Sequence, residues 1–268
     1  MITLQDLTID PIKVEKMITK FIKKSVEEAG LNGAIVAVSG GIDSAVVLSL
    51  TVKALGPKRV TALTLPERDI TPKQDIDDVM QLVTELGLTC DCVDITPTLR
   101  VMREDLPLYS PSNRVAFGNV KARTRMIIVY HYANILNRMV VGTSNKSELY
   151  TGYFTKYGDS GVDIMPIGDL YKNQVRQLAL HLNLPEQIIK KVPTAGFWPG
   201  QTDEGELGID YDGLDLILYA WSKGFELPRI VEETGVPIQQ VEMVLRRVRG
   251  TEHKRRPPTI LRLSKAPI

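Results

Sequence analysis

The chain has 268 residues, 43% of them hydrophobic, and its 33 basic side chains nearly balance 32 acidic ones. That length is at the upper end of what one core supports, so a single domain over 1–268 is expected. The near-neutral charge excludes a global field that would drive sequence-independent binding to nucleic acid, and it points to a small substrate. Cys90 and Cys92, the only cysteines, alternate on an apparent strand, which excludes a disulfide scaffold. No basic start followed by an apolar run opens the sequence, and no stretch approaches the roughly 18 apolar residues of a membrane span. A soluble, reducing, cytoplasmic setting is the resulting expectation.

In chain order, the first predicted helix takes Asp10 as N-cap and Pro11 at N1. It carries Val14, Met17, Ile18, Phe21, Ile22 and Val26 on one face and stops at Gly30. Gly33 to Val38 is a short continuous apolar run, as in a parallel strand buried on both sides. A helix from Ala45 to Leu55, a strand from Arg59 to Leu65, a helix from Thr71 to Leu86 and a strand from Leu88 to Ile95 follow. A long helical pattern from about Asn113 to Leu136 leads to a strand over Met139 to Gly142, and Asp169 to Leu182 supplies another helix. With right-handed crossovers this alternation predicts an α/β fold: a Rossmann-like, doubly wound parallel sheet with helices on both faces, binding ligands at the carboxyl ends of its strands.

Two stretches break the pattern. Tyr150 to Ile167 and Val192 to Asp210 are rich in Gly, Pro, Asp and Thr and too long for simple connections, the first being the candidate lid. Three more helical patterns follow Tyr211, the last over Ile238 to Arg249, and then the basic tail Glu252 to Pro258.

Ser39-Gly40-Gly41-Ile42-Asp43-Ser44 lies between the first strand and its helix. A loop there presents unpaired backbone N–H groups and the positive end of the helix dipole to an anion. Gly40 and Gly41 let the backbone come close, Ser39 and Ser44 add hydroxyls, and Asp43 beside a phosphate argues for a divalent cation between them. The loop has neither the Gly-Lys-Ser/Thr ending of a Walker A motif nor the GxGxxG dinucleotide fingerprint.

The pattern instead resembles the PP-loop of the N-type ATP pyrophosphatases, which hold the pyrophosphate of ATP while a substrate oxygen attacks the α-phosphate. Further segments select within that group: Gly118-Asn119-Val120-Lys121-Ala122-Arg123-Thr124-Arg125-Met126, Gly142-Thr143-Ser144-Asn145 followed by Glu148, Phe154-Thr155-Lys156-Tyr157-Gly158-Asp159, and Glu252-His253-Lys254-Arg255. They resemble the ammonia-dependent NAD synthetase family over nearly the whole chain.

The resemblance implies an adenine nucleotide alpha hydrolase type of fold and a carbon–nitrogen ligase of NAD biosynthesis. It places ATP on Val38, Ser39, Gly40, Gly41, Ile42, Asp43, Ser44, Thr143, Lys172 and Thr194. Magnesium falls to Asp43 and Glu148, and deamido-NAD to Arg123, Lys156, Asp163, His253 and Lys254. Asp43, Lys172 and Asp163 are the implied catalytic residues. A homodimer is also implied. Because no glutaminase region is present, nitrogen comes from free ammonia or a separate ammonia-supplying partner.

Other readings stay open at this level. The PP-loop also fits another amidotransferase, such as the synthetase half of GMP synthetase, and the helical patterns around Gly235 imitate a helix-turn-helix module for nucleic acid. Lys121, Arg123 and Arg125 lie in a helical pattern where charges usually form a solvated face, 121 and 125 on one side and Arg123 roughly opposite. Gly196-Phe197-Trp198-Pro199-Gly200 is an unexpectedly apolar lead into Gln201-Thr202-Asp203-Glu204.

Overall fold

Four short strands form the sheet that organises the molecule. In the computed structural model, which describes residues 1–261, these are β1 (Gly33–Ala37), β2 (Val60–Thr64), β3 (Cys90–Cys92) and β4 (Arg138–Val141). Residues 262–268 of the unit expected from the sequence lie outside the described residues. The strands are all parallel, in the order β3-β2-β1-β4. β3 keeps only three of the eight residues predicted for it. It is an edge strand, with Cys92 exposed and the half-buried Cys90 thiol pushed up to about 11 by burial.

Successive strand residues face opposite ways, and two cores result. Ala34, Val36, Ala62, Met139 and Val141 pack against α1 (Pro11–Glu28), α2 (Ile42–Leu55), α3 (Lys73–Glu85) and α7 (Lys172–His181). Ile35, Leu63 and Val140 pack on the other face against α4 (Thr96–Asp105) and α5 (Arg114–Leu136). Each fully buried aliphatic of this kind stabilises the fold by roughly 1.5–3 kcal/mol. A third cluster unites α10 (Tyr211–Ser222), α11 (Leu227–Thr234) and α12 (Ile238–Gly250) with Leu7 and Tyr171.

Asp10 caps α1 as predicted, accepting from the amides of Ile12 and Lys13 at 3.1 Å. The buried stripe of α1 is narrower than predicted: Ile18, Ile22 and Val26 are buried, whereas Met17 and Phe21 remain 61% and 44% exposed. The residues flanking an i, i+4 stripe drift off the contact line, and α1 packs mainly on α2 and α7. Short helices without a long apolar period escaped the sequence reading: α4, α6 (Lys146–Thr151), α8 (Glu186–Ile189), α9 (Asp203–Leu207) and α13 (Glu252–Arg255). No helix among the described residues is long and apolar enough to cross a membrane.

From β1 the chain runs one way to β2 and β3 and later returns on the other side as β4. The loops leaving β1 and β4 therefore diverge, opening a crevice at the carboxyl ends of adjacent strands, where ligands of doubly wound sheets bind.

Candidate functional site

β1 feeds into Ser39–Gly41, and α2 begins at Ile42, three residues earlier than its periodicity predicts. Asp43 and Ser44 thus stand in the first turn, among amides with no intrahelical partner. Gly40 has φ 83°, and a Cβ there would lie 2.7 Å from the carbonyl oxygen of Asp75, so no side chain fits. Ser44 Oγ donates to the Gly41 carbonyl at 2.9 Å and accepts from the Ser39 amide at 3.2 Å. These contacts hold the loop in shape around the helix end.

On the opposite wall, Asn145 caps α6 by accepting from the Glu148 amide at 3.0 Å, and Glu148 reaches back to the Asn145 amide at 3.2 Å. Asn145 also donates through Nδ2 to Asp43 Oδ1 at 2.9 Å, joining the two walls. Lys172 opens α7 with its side chain only 2% exposed; its Nζ lies 2.5 Å from Asp43 Oδ2 and 3.7 Å from Glu148 Oε1, and 4.9 Å from the ring centre of Tyr211.

The electrostatics are interlocked. Burial alone would lower the pKa of Lys172, but the facing carboxylates of Asp43 and Glu148 outweigh it and hold the ammonium above its ordinary value. Burial raises the Glu148 carboxyl well above the usual range, Asp43 adds to this, and Lys172 opposes it. Asp203, in α9, is raised by burial against the attraction of Lys172 and the hydrogen bond from Tyr211 Oη at 2.9 Å.

A brace lies beneath. Asp215 of α10 is fully buried and accepts from Ser147 Oγ at 2.5 Å and from the amide and Nδ2 of Asn173 at 2.8 and 3.0 Å. Ser147 Oγ in turn accepts from the Lys172 amide at 3.0 Å. One carboxylate thereby fixes the start of α7 against α6, and offsets the unfavourable lysine at that helix N-terminus.

A second group forms away from the sheet. Arg123 donates through Nε and Nη2 to the Lys156 carbonyl at 3.3 and 3.1 Å, and Lys156 Nζ donates to the carbonyls of His253 and Arg256 at 2.6 and 2.9 Å. Lys254 Nζ donates to the Gly152 carbonyl at 2.5 Å, and burial lowers its pKa against the pull of Asp159.

The structure brings Asp43, Glu148 and Lys172 together, with Val38, Ser39, Gly40, Gly41, Ile42 and Ser44 contiguous with them. It gathers Arg123, Lys156, His253 and Lys254 separately. Asp163 stands apart from both: Oδ2 accepts from the Val140 amide at 2.7 Å and Oδ1 from Tyr130 Oη at 3.0 Å. Thr143 lies on the half-buried turn after β4. Thr194 is exposed on the 192–202 loop, its hydroxyl accepting from the Gly196 amide at 3.1 Å.

Lys121 corrects the solvated-face expectation, being 5% exposed and 2.5 Å from Glu67 Oε2; Arg125 likewise turns inward and donates to the Leu65 carbonyl at 2.9 Å. Only Arg123 faces solvent. Asn145, Asp203, Tyr211 and Asp215 were missed. Asn145 was legible as the cap three residues before Glu148. Asp215 has no local signature, because its partners are remote in sequence.

The fold and loop define a nucleotide-binding α/β protein of the PP-loop class. The sequence model of the NAD synthase family matches residues 14–258, and the chain belongs to that family. It is 46% identical to an NH(3)-dependent NAD(+) synthetase from Methanosarcina acetivorans over 92% of this chain and 97% of that protein. Among solved structures it resembles an NMN synthetase from Francisella tularensis, with 33% identity, a TM-score of 0.84 and coverage of 95% and 99% of the two chains. An NH3-dependent NAD synthetase from Campylobacter jejuni gives 32% identity, a TM-score of 0.81 and coverage of 95% and 100%.

Proposed function

We propose that this protein amidates deamido-NAD with ammonia, consuming ATP and releasing AMP and pyrophosphate. The observation that carries the reading is Lys172, buried between Asp43 and Glu148 at the mouth of the phosphate-type loop. The family match and the similar NH(3)-dependent synthetases favour this substrate over the GMP synthetase or helix-turn-helix readings.

In the proposed reaction the nicotinate carboxylate attacks the α-phosphorus of ATP, pyrophosphate leaves, and ammonia then displaces AMP from the acyl adenylate. The α2 amides with Ser39 and Ser44 hold the pyrophosphate, Thr143 and Thr194 complete the ATP site, and Lys172 neutralises charge as it moves to the leaving group. Arg123, Lys156, His253 and Lys254 receive the dinucleotide. Asp163, both of whose oxygens already accept hydrogen bonds, serves in binding rather than in proton transfer.

Asp43 and Glu148 fit a magnesium ion: they are hard oxygen donors, and the second is destabilised as an anion by burial and, after that, by the first. Two carboxylates are fewer than its roughly six ligands, so phosphate and water oxygens complete the set. The ion would supply charge neutralisation at the phosphates. The exposed Ile127 and Ile135, which share a side of α5, offer apolar contacts for a homodimer. A cytoplasmic location goes with the ATP requirement.

The test is incubation with ATP, magnesium, ammonium and deamido-NAD. Equal yields of NAD, AMP and pyrophosphate are expected, and their absence would overturn the proposal. Because one solved relative is named NMN synthetase, nicotinate mononucleotide is the control substrate; preferential turnover of it would replace the dinucleotide assignment. Turnover of XMP to GMP would replace both.

A further inference from the structure

The helix that carries Glu148, α6, has six residues, fewer than two turns, and a helix that short does not keep its shape or place without help at its ends. Its N-terminal end is held by Asn145. At its C-terminal end, the carbonyls that a helix leaves open are taken by basic side chains from the far end of the chain. Arg255 Nη1 donates to the Tyr150 carbonyl at 2.7 Å and to the Leu149 carbonyl at 3.3 Å. Arg247 Nε donates to the Thr151 carbonyl at 3.2 Å, and Lys254 Nζ to the Gly152 carbonyl at 2.5 Å.

Arg255 also reaches a second helix. Its Nη2 donates to the Val248 carbonyl in the last turn of α12 at 2.7 Å, and Nη1 donates to the Thr251 hydroxyl at 3.2 Å. None of these acceptors is a carboxylate; the guanidinium lies between the negative ends of α6 and α12. The fit is close. Gly152 has φ 64°, and a Cβ there would lie 2.4 Å from the Thr251 Cβ, so no side chain is accommodated where α6 meets the tail. From its other side the same tail is held by Lys156, whose own carbonyl accepts from Arg123. Residues 251–256 therefore stand between the two groups of site residues.

We infer that Arg255 is a positioning residue: by locking the C-terminal end of α6 onto α12 and the tail, it fixes Glu148 and so sets how much magnesium the enzyme needs. The inference rests on the proposed role of Glu148 in holding the ion. Glu148 lies one residue before the clamped carbonyls, so any shift of this short helix moves its carboxylate. Losing the support behind a metal ligand weakens the affinity of the site while leaving the ligand itself in place. The expected signature is therefore a higher magnesium requirement with a nearly unchanged maximal rate.

The full chain is compared with Arg255→Met, Arg255→Lys and Arg246→Met, the last replacing an exposed arginine of α12. At saturating ATP, ammonium and deamido-NAD, Arg255→Met should need several-fold more magnesium for half-maximal rate, with kcat at saturating magnesium within about twofold of the parent. Arg255→Lys keeps the charge but lacks the fork that spans two helix ends, so a smaller shift of the same sign is expected. Arg246→Met should match the parent. An unchanged magnesium requirement in the Arg255 variants, even with a lowered Tm, overturns the inference, as does an equal shift in Arg246→Met. Hydrogen exchange without nucleotide or metal reads the same tie independently of turnover. Amides of residues 147–152 should exchange several-fold faster in Arg255→Met than in the parent or Arg246→Met, and equal rates likewise overturn it. If Arg255→Met does not fold, Arg255→Lys carries both measurements. If the parent makes no NAD, the proposed reaction fails, while the exchange comparison still decides whether Arg255 holds α6.

Discussion

The two long irregular segments meet on α5, yet they are secured in opposite ways. Residues 152–171 are pinned every few positions. The Thr155 amide donates to Asp159 at 2.8 Å and its hydroxyl to Asn119 at 2.7 Å, Asp163 holds the Val140 amide, and the Gly142 amide donates to the Ile164 carbonyl at 2.8 Å beside a parallel bridge between Val141 and Ile164. Ile167 is fully buried. Residues 192–202 are held mainly through Phe197 and Gln201. The first segment, expected from sequence to be the lid, delivers Lys172 to the centre; the second delivers Asp203. Similar Gly-rich and polar compositions thus yield one fixed wall and one loosely held rim, because burial and remote partners, not composition, decide which backbone is tied down.

The sharpest way to break that contrast is at the residues the two segments carry. Lys172→Met should lower kcat on the order of 100- to 1,000-fold, whereas Thr194→Ala should act mainly on KM for ATP, by about tenfold or less. Equal losses in steady-state kinetics would erase the distinction. Next in size, Asp43→Asn and Glu148→Gln should reduce turnover on the order of 10- to 100-fold and raise the magnesium concentration needed for half-maximal rate. Rates unchanged at saturating metal would remove the cation from these carboxylates.

Stability sharpens the comparison further. Asp163→Ala should cost about 1–3 kcal/mol in denaturant unfolding, because it strands the Val140 amide, while Thr194→Ala should stay within about 0.5 kcal/mol. Similar values would mean that the first segment is no better anchored than the second.

A further effect on stability, this one confined to a pH window, concerns the brace at the root of the fixed segment. Burial pushes the Asp215 carboxyl from 3.8 up to about 6, against the hydrogen bonds from Ser147 and Asn173. A folded pKa above the unfolded one means folding favours the protonated form. The contribution of Asp215 to stability is therefore greatest below pH 3.8, falls as pH rises toward about 6, and is level above it. Asp215→Asn has no such titration, so stability of the variant relative to the parent should rise across that window by up to about 3 kcal/mol. A difference in Tm that is flat with pH would show that Asp215 ionises normally in the fold.

Much of this was readable before folding. The apolar runs of β1 and β4, the Asp10-Pro11 cap and the Ser39–Ser44 loop are local patterns whose physics lies within a few residues, and they located the sheet and its phosphate-binding end. The resemblance to NAD synthetases grouped Asp43, Glu148 and Lys172, but it could not show that Asn145 ties the two walls or that Asp215 holds α7 in place.

Local sequence determined the main strands and the longer helices with an apolar period, which loop suits phosphate, and the glycine that its backbone requires at position 40. Tertiary structure decided that α2 starts at Ile42, that Met17 and Phe21 stay in solvent, that Lys121 is buried, and that Phe197 seats on Gly118. The reason is range. Periodicity and capping act over a few residues, whereas the contacts that assemble the centre join Asp43 to Asn145 across 102 positions and to Lys172 across 129, and only the packed sheet brings them together.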